Sequence, residues 1–212
     1  RVSRGLGDVY KRQAYSRAGV AAFTTSTGYG IAKYDNPEEL SVSDRNNIGY
    51  QYTDCPLYWI SVIYLNFAEA KAEMGSLTQD DLNNSINKLQ ARAGLPAMTT
   101  TPDADPANNM GVSNLIWEIR RCRRCELIMD NWYRYWDLIR WHQLDKLDST
   151  KYPNTMLGAN VSNVPDCEEA TKNGYIDASD AQIRTYEAKH YFYPIPTTQL
   201  TLNKNMKQNP GW

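Results

Sequence analysis

The fold is decided by residues 58–94, which contain YWISVIYLNFAEAKAEMG at 58–75 and TQDDLNNSINKLQARAG at 78–94. Large side chains recur in the first segment at steps of three and four, the spacing of one face of an α-helix. This spacing predicts a helix from Tyr58 to Gly75, because glycine readily adopts the left-handed conformation that closes a helix. The predicted face consists of Ile60, Ile63, Tyr64, Phe67, Lys71 and Met74.

The second segment predicts another helix directly after a short loop. Thr78 and Asp81 approximate a capping box, in which the two residues satisfy each other's backbone N–H groups. Gly94 and Pro96 close the helix, and its apolar stripe consists of Leu82, Ile86, Leu89 and Ala93. Two helices within this length are typical of a helical-hairpin repeat, although the residues match the tetratricopeptide consensus poorly.

A second helix pair is predicted between residues 113 and 147. Ser113 is a suitable N-cap, and the face that follows it contains Leu115, Ile119, Cys122 and Met129. The next helix runs through Trp136, Ile139 and Leu147, with a break near Asn131.

The rest of the chain is rich in turn-forming residues. Segments 14–58 and 148–212 therefore predict loops, with short strands at residues 28–34 and 191–193. The expected fold class is mainly α, with tetratricopeptide-like helix pairs, long irregular loops and a few short strands.

The charge and hydropathy of the sequence argue against some classes of protein function. The 212 residues include 23 Lys and Arg and 24 Asp and Glu, so the formal charge is −1. This balance argues against a nucleic-acid partner, because such proteins normally concentrate basic residues. No apolar run reaches the roughly 20 residues of a membrane-spanning helix.

The aromatic composition is unusual, because 15 Tyr and 6 Trp accompany only 3 Phe. Nearly every aromatic ring therefore carries a hydrogen-bonding group, which suits interfaces that are partly apolar and partly wet. Sugar rings are one class of ligand that stacks on such side chains. The alternative is that these aromatics border a helical core.

Metal and nucleophile motifs are interpreted as structural or absent. Cys122 and Cys125 have CxxC spacing, but a zinc site needs two further ligands and the sequence has neither a second CxxC nor a histidine pair. His142 and His190 accompany no nucleophile motif such as GxSxG. We therefore expect no metal, no cofactor and no catalytic triad.

Two sets of charged residues each have a catalytic and a structural interpretation. Asp130 and Asp137 are seven residues apart, about 10 Å along a helix, which is at the long end for an inverting glycosidase. Arginines at 120, 121, 123 and 124 form a charge-dense helix in which Glu126 can meet Arg123. Both groups are interpreted as structural, and no enzymatic activity is expected.

Three segments together resemble the SusD/RagB family of outer-membrane nutrient-capture lipoproteins. The first is YLNFAEAKAEMG at 64–75 followed by INKLQARAGLP at 86–96, and the second is IRRCRRCEL at 119–127 leading into RYWDLIRW at 134–141. The third is YPIP at 193–196 with QNPGW at 208–212. The resemblance covers about residues 27–212 and corresponds to the C-terminal part of such proteins.

The resemblance implies a noncatalytic protein that captures an oligosaccharide or another nutrient at the cell surface. Family members deliver their ligand to a SusC-like, TonB-dependent outer-membrane transporter and are attached to the outer membrane by an N-terminal lipidated cysteine. The signal peptide, this cysteine and further helices are expected upstream of the present sequence.

The sequence departs from the family pattern at two places. The family usually has Glu where Cys122 stands, which removes an ion-pair partner for the arginines. Segment 130–134 has one residue more than the family's acidic-Gly-x-Arg pattern, which rotates a helix by about 100°. A bulge, or an error in the sequence, is expected near Asn131.

The first residues are expected to be foreign to the protein. Segment 1–13, RVSRGLGDVYKRQ, lacks helix or strand periodicity. It resembles the translated adapter scar found at the ends of reading frames from assembled environmental DNA. We therefore expect residues 14–212 to be the C-terminal part of a SusD-like domain.

Ligand contacts are predicted before the first helix, at Tyr50, Tyr52 and Trp59, because loops on a rigid scaffold usually carry binding. Packing of Trp59 against its own helix is the alternative. Two other functions remain open, a helical-repeat scaffold that binds only protein partners and a glycosidase. Aromatic side chains buried between helices would favour the scaffold. Two carboxylates about 5–9.5 Å apart in a cleft would favour the glycosidase.

Overall fold

The computed structural model describes residues 27–29, 41, 57–130, 132–163, 171–179 and 182–212. The chain divides into two compact units. The described part of the first lies within residues 41–134, and that of the second within residues 27–29 and 135–212. None of the described helices is both long and apolar enough to cross a membrane.

The first unit is helical. Its elements are α1 (Ile60–Glu73), α2 (Gln79–Asn83), α3 (Ile86–Ala93) and α4 (Asn114–Glu126). Helix α1 packs against α3 and, more extensively, against α4. The second predicted helix is thus two helices, separated at Asn84 and Ser85.

The predicted capping signals at Thr78, Asp81 and Ser113 and the closing glycine Gly94 are confirmed. The Thr78 hydroxyl accepts a hydrogen bond from the Asp81 N–H (3.2 Å), and the Asp81 carboxylate accepts one from the Thr78 N–H (2.9 Å). Bonding to the Thr78 hydroxyl is the main reason that the pKa of Asp81 falls to about 2. The Ser113 hydroxyl caps α4 by accepting from the Ile116 N–H (3.3 Å), and Gly94 follows α3 at φ 68°.

The core of the first unit contains three of the four residues of the predicted stripe, and the fourth, Ala93, is half-buried outside the cluster. Leu82, Ile86 and Leu89 are buried, and Ile119 of α4 packs with them. The other buried members of this cluster are Leu65, Ala68, Met98 and Leu127.

Most of the predicted face of α1 is wrong, although Tyr64 is partly buried against the core cluster. Ile60, Ile63 and Met74 are 62%, 59% and 75% exposed, and Phe67 is also exposed. The buried residues of this helix are Ser61, Leu65, Ala68 and Glu69. Apolar residues occur on both faces of α1, so periodicity alone does not select between them. The face that packs carries the smaller side chains and a carboxylate for Arg120.

The chain turns sharply after α4, close to the predicted break. Met129 (φ 62°) and Trp132 (φ 58°) have left-handed backbone conformations, and Asn131 between them lies outside the described residues. Met129 is exposed beyond the end of α4 rather than on its packed face. Helix α5 (Tyr133–Arg140) follows, and Leu147 lies in a 3₁₀ turn, Leu144–Leu147, rather than on that helix.

The second unit has little regular structure. Strands β1 (Leu157–Asn160), β2 (Thr171–Lys172) and β3 (Tyr175–Asp177) form an antiparallel sheet in the order β1-β3-β2. Two further 3₁₀ turns are Pro153–Met156 and Ala188–Tyr191, and α6 is Thr197–Leu202. The strand predicted at 191–193 is wrong, because Tyr191 ends a 3₁₀ turn; most of the strand predicted at 28–34 lies outside the described residues.

Asp148 organises one part of this unit. Its buried carboxylate accepts hydrogen bonds from the hydroxyl and N–H of Thr150 (2.5 and 2.8 Å) and from the N–H groups of Lys151 (3.3 Å) and Tyr186 (3.1 Å). The Thr150 hydroxyl contributes most to lowering the pKa of Asp148 to about 2. One side chain therefore joins two loop segments that are 38 residues apart.

The last five residues fold back on the preceding turn. The Gln208 side chain bonds both the N–H and the carbonyl of Ile195 (2.8 and 2.9 Å), and Asn209 donates to the Tyr193 carbonyl (2.6 Å). The Trp212 indole N–H lies within bonding distance of the carbonyls of Lys189 (3.2 Å) and Phe192 (2.9 Å). We call residues 208–212 the C-terminal clasp.

Candidate functional site

The predicted ligand loop is described only at its end. Trp59 is half-buried and precedes α1 as its N-cap, with extended backbone angles and a carbonyl that accepts from the Val62 N–H (3.0 Å). Its neighbours Leu57 and Tyr58 are strongly exposed. Tyr50 and Tyr52 lie outside the described residues. Their role as ligand contacts stays a prediction.

Two arginines of α4 join it to α1. Arg120 is buried, with its Nε 3.5 Å from Glu69 and its Nη2 donating to Glu73 at 3.0 Å. Arg123 donates to the Asn66 side chain (2.8 Å) and lies over the Tyr133 ring, 5.7 Å from its centroid. These contacts use the two guanidinium groups to hold the helices together, as expected for structural residues.

A cleft of about 670 Å³ lies between α3, α4 and the loop after α3. The loop is held by Asn87, whose side chain bonds both the N–H and the carbonyl of Met98 (2.7 and 3.1 Å). Arg92 contacts both carboxylate oxygens of Glu126 at 2.6 Å on one wall. The described lining residues include no aromatic side chain, so this cleft offers no surface for stacking a sugar ring.

Cys122 lies in the same cleft. Burial is the main reason that its pKa rises to about 12, so the thiol stays protonated at neutral pH, whereas metal binding and nucleophilic attack need the thiolate. Its sulfur lies 3.9 Å from the Gln90 amide. Among the residues that the structure describes, no group of three or more His, Cys, Asp and Glu is placed to hold a metal ion.

The two aspartates of the glycosidase hypothesis are both buried. Asp137 accepts a hydrogen bond from Arg140 Nε at 2.9 Å, and the Arg140 guanidinium lies 4.7 Å from the Trp141 ring centroid. Asp130 is buried at the turn after α4, where its carbonyl accepts from the Tyr133 N–H (3.0 Å). Neither carboxylate is presented on an open surface, as a glycosidase acid requires.

The two histidines lie among aromatic rings of the second unit. His142 is exposed at φ 52°, with its ring 4.9 Å from that of Tyr191. His190 Nδ1 accepts from the Glu187 N–H (3.0 Å), and its ring lies 5.9 Å from Trp212. These contacts fit structural roles.

An exposed group of aromatic side chains, which the sequence prediction missed, forms the strongest candidate binding surface. It consists of Tyr135, Trp136 and Tyr193, and we call it the aromatic cluster. Trp136 is 54% exposed and Tyr193 is 66% exposed. The rings of Tyr135 and Trp136 meet edge to face at 5.5 Å, and the hydroxyls of Tyr135 and Tyr193 are 3.3 Å apart.

The sequence predicted a helix through Trp136, which is confirmed, but did not predict that Trp136 is exposed; Asp137 and Leu138 are the buried residues of α5. The available signal was the pair of adjacent aromatics in RYWDL together with YFYPIP at 191–196. The spacing of these segments does not predict the contact between the hydroxyls of Tyr135 and Tyr193, which are 58 residues apart.

The helical first unit and the loop-rich second unit define a class of mainly helical proteins with long irregular loops. The chain matches the SusD family model over residues 5–212 and belongs to that family. The resemblance to the SusD/RagB family and the mainly α fold are thus confirmed.

Solved structures with the same fold include BT4246, with a TM-score of 0.63 and 21% identity over 94% of this chain. A second is a SusD-like protein, BF3747, from Bacteroides fragilis NCTC 9343, with a TM-score of 0.56 and 24% identity over 89% of this chain. The chain spans 30% and 31% of the lengths of these two structures. A comparison with curated proteins found no match.

Proposed function

We propose that this chain is the C-terminal part of a noncatalytic protein that captures glycan or another nutrient at the bacterial outer-membrane surface. The single observation that carries the proposal is family membership over residues 5–212. The proposed partner is a SusC-like, TonB-dependent outer-membrane transporter that receives the ligand. Attachment to the membrane is proposed to occur through a lipid anchor upstream of this sequence.

The arrangement of charged and aromatic side chains supports capture without catalysis. Asp137 is buried against Arg140, whereas Trp136 and Tyr193 are exposed. Exposed aromatic rings held by a rigid scaffold suit ligand binding. A glycosidase needs two carboxylates facing an open cleft.

The predicted contacts are tested by replacing Tyr50, Tyr52 and Trp59 together with alanine in the full-length protein. Affinity for soluble α-glucan, β-glucan, xylan and mannan is measured by calorimetry, and we expect weaker binding to whichever polymer the native protein binds. Tyr175→Ala, on strand β3, is the control and should bind normally. Unchanged affinity in the triple variant would show that the contacts are elsewhere.

The absence of catalysis is tested on the same polymers. Prolonged incubation with the protein should leave polymer length unchanged, as measured by reducing-end release. Release of sugar by the native protein, abolished by Asp137→Asn, would contradict a noncatalytic function.

A helical scaffold that binds only protein partners is the second candidate. The exposed side chains of Ile60, Ile63 and Phe67 on α1 favour it, because apolar faces of this kind mark protein contacts. A full-length protein that co-purifies with its transporter yet binds none of the four polymers would support this alternative.

A further inference from the structure

The aromatic cluster combines exposed rings with hydrogen-bonding groups in one part of the second unit. The indole of Trp136 and the phenol of Tyr193 are exposed by more than half, so neither ring is covered by the core of this unit. Within the described residues, the Trp136 indole N–H has no protein acceptor. Both rings therefore offer apolar surface and polar atoms to a ligand.

The hydroxyls of Tyr135 and Tyr193 bond to each other and can still form hydrogen bonds to a ligand. Their oxygens are 3.3 Å apart, and either can be the donor. Only one of the two O–H groups is used in this bond, so the other can donate to a ligand, and both oxygens can accept. The hydrogen bond to Tyr193 is the main reason that the pKa of Tyr135 is raised.

The rings are held in place before any ligand arrives. Tyr135 and Trp136 lie on α5, where their rings meet edge to face at an angle of 68°. The Tyr193 carbonyl accepts a hydrogen bond from Asn209 (2.6 Å), and the following Pro194 disfavours the helical backbone region at Tyr193. Such preorganisation lowers the entropy lost on binding.

The chemistry of the cluster matches a neutral sugar. One face of a pyranose ring presents C–H groups, and its rim presents hydroxyls that both donate and accept. The exposed indole face suits the C–H groups, while the Trp136 N–H and the tyrosine hydroxyls suit the rim. A purely apolar partner would leave these polar groups without partners.

We propose that Tyr135, Trp136 and Tyr193 form a carbohydrate-binding subsite that stacks one pyranose ring of a neutral glycan on Trp136. This inference rests on the proposed function and names residues for it other than Tyr50, Tyr52 and Trp59. Asn209 is a positioning residue for the subsite, because it bonds the Tyr193 backbone and not the ligand.

The test uses the full-length protein and the same four polymers. Trp136→Ala and Tyr193→Phe should each weaken binding by roughly two- to tenfold, because one ring contact or one hydroxyl is lost. Trp132→Ala is the matched control, since Trp132 is 81% exposed and lies outside the cluster. Its affinity should be unchanged.

The outcomes separate this subsite from the proposed function. If the native protein binds a polymer and Trp136→Ala binds it equally well, the subsite is wrong and the proposed function stands. If the native protein binds none of the polymers, the subsite and the capture of these glycans are both overturned, which leaves only the capture of another nutrient. If Trp132→Ala loses as much affinity as Trp136→Ala, the effect is not specific to the cluster and the subsite is rejected. Melting curves of every variant show whether a loss of binding is a loss of folding.

Discussion

The two units of this chain are stabilised by different means. In the first, helices α1, α3 and α4 bury apolar side chains such as Leu65, Ile86 and Ile119 in one cluster. In the second, single polar side chains hold irregular segments together through backbone groups, as Asp148 and the C-terminal clasp do. Stability should therefore depend on buried volume in the first unit and on individual hydrogen bonds in the second.

This difference bears on function, because irregular loops carry exposed binding groups only if something fixes their conformation. In the second unit, polar contacts to backbone groups supply this fixation. Asn209, for example, holds Tyr193 where its ring stays exposed. The helical unit, in contrast, exposes apolar side chains of α1 that would be stabilised by burial against another surface.

The largest effect is expected when residues 14–212 are expressed alone. Ile60, Ile63 and Phe67 expose a contiguous side of α1, and helical repeats normally need about three units to bury their faces. We expect poor solubility or an uncooperative thermal transition. A soluble monomer with a sharp, reversible melt would show that the fragment closes its own core.

A double variant, Ile60→Gln with Ile63→Gln, sharpens this prediction. If the exposed face of α1 causes the aggregation, the soluble yield of residues 14–212 should rise several-fold. The same pair of substitutions placed on a buried face would lower the yield instead. An unchanged yield would assign the aggregation to another surface.

The next largest effect is expected for Ile119→Ala, compared with Ile63→Ala. Ile119 is fully buried in the core cluster, and such truncations cost about 2–5 kcal/mol. Ile63 is exposed, so the same change should stay within about 0.5 kcal/mol. Denaturant unfolding of both variants measures the difference, and equal losses would mean that Ile63 is covered in solution.

These two isoleucines also show how far the sequence predicts the fold. Capping signals correctly predicted three helix ends in the first unit, because Thr78 with Asp81, Gly94 and Ser113 act through local backbone geometry. The break between α2 and α3 was not predicted. Periodicity failed on α1, because choosing between two apolar faces depends on what α4 presents. The buried pairing of Arg120 with Glu69 is a long-range property that no local pattern contains.

The candidate site was less predictable than the helices. Tyr135 and Trp136 were visible as adjacent aromatics, but their contact with Tyr193 spans 58 residues of mostly irregular chain. That chain is positioned by individual side chains, such as Asp148 and Asn209, rather than by a repeating pattern. The predicted contacts Tyr50 and Tyr52 stay predictions.

A smaller effect than the core truncation is expected for Asp137→Ala. Loss of a hydrogen bond between charged groups costs about 1.5–3 kcal/mol, and the exposure of the Arg140 guanidinium places this pair toward the lower value. The melting temperature should fall while glycan affinity of the full-length protein is unchanged. Lost binding with an unchanged melting temperature would contradict a structural role.

Asp148→Asn should destabilise the second unit in a pH-dependent way. The pKa of Asp148 in the folded chain is about 2, below the value of about 3.9 for an unfolded aspartate. The ionised carboxylate therefore stabilises the fold above about pH 4, and this contribution is lost as the pH falls from about 4 to about 2.

The measurement is the difference in melting temperature between the native chain and Asp148→Asn. This difference should be clear at pH 7, smaller than that caused by Asp137→Ala, and should disappear near pH 2. Asp103→Asn, at an exposed carboxylate in the loop after α3, is the control and should change little. A difference that stays constant from pH 7 to pH 2 would contradict the role of the charge.

The smallest effect is expected for Trp212→Phe, which removes one hydrogen-bond donor and keeps an aromatic ring. The indole N–H lies within bonding distance of the carbonyls of Lys189 and Phe192, and a neutral hydrogen bond contributes about 0.5–1.5 kcal/mol. Because Trp212 is partly exposed, water can replace the lost donor, so the cost should lie near the lower value. Trp132→Phe is the matched control and should leave the melting temperature unchanged. If the native chain, Trp212→Phe and the control have equal melting temperatures, the clasp is held by Gln208 and Asn209 alone. If Trp212→Phe is destabilised as much as Ile119→Ala, the second unit depends on the Trp212 ring as a core residue.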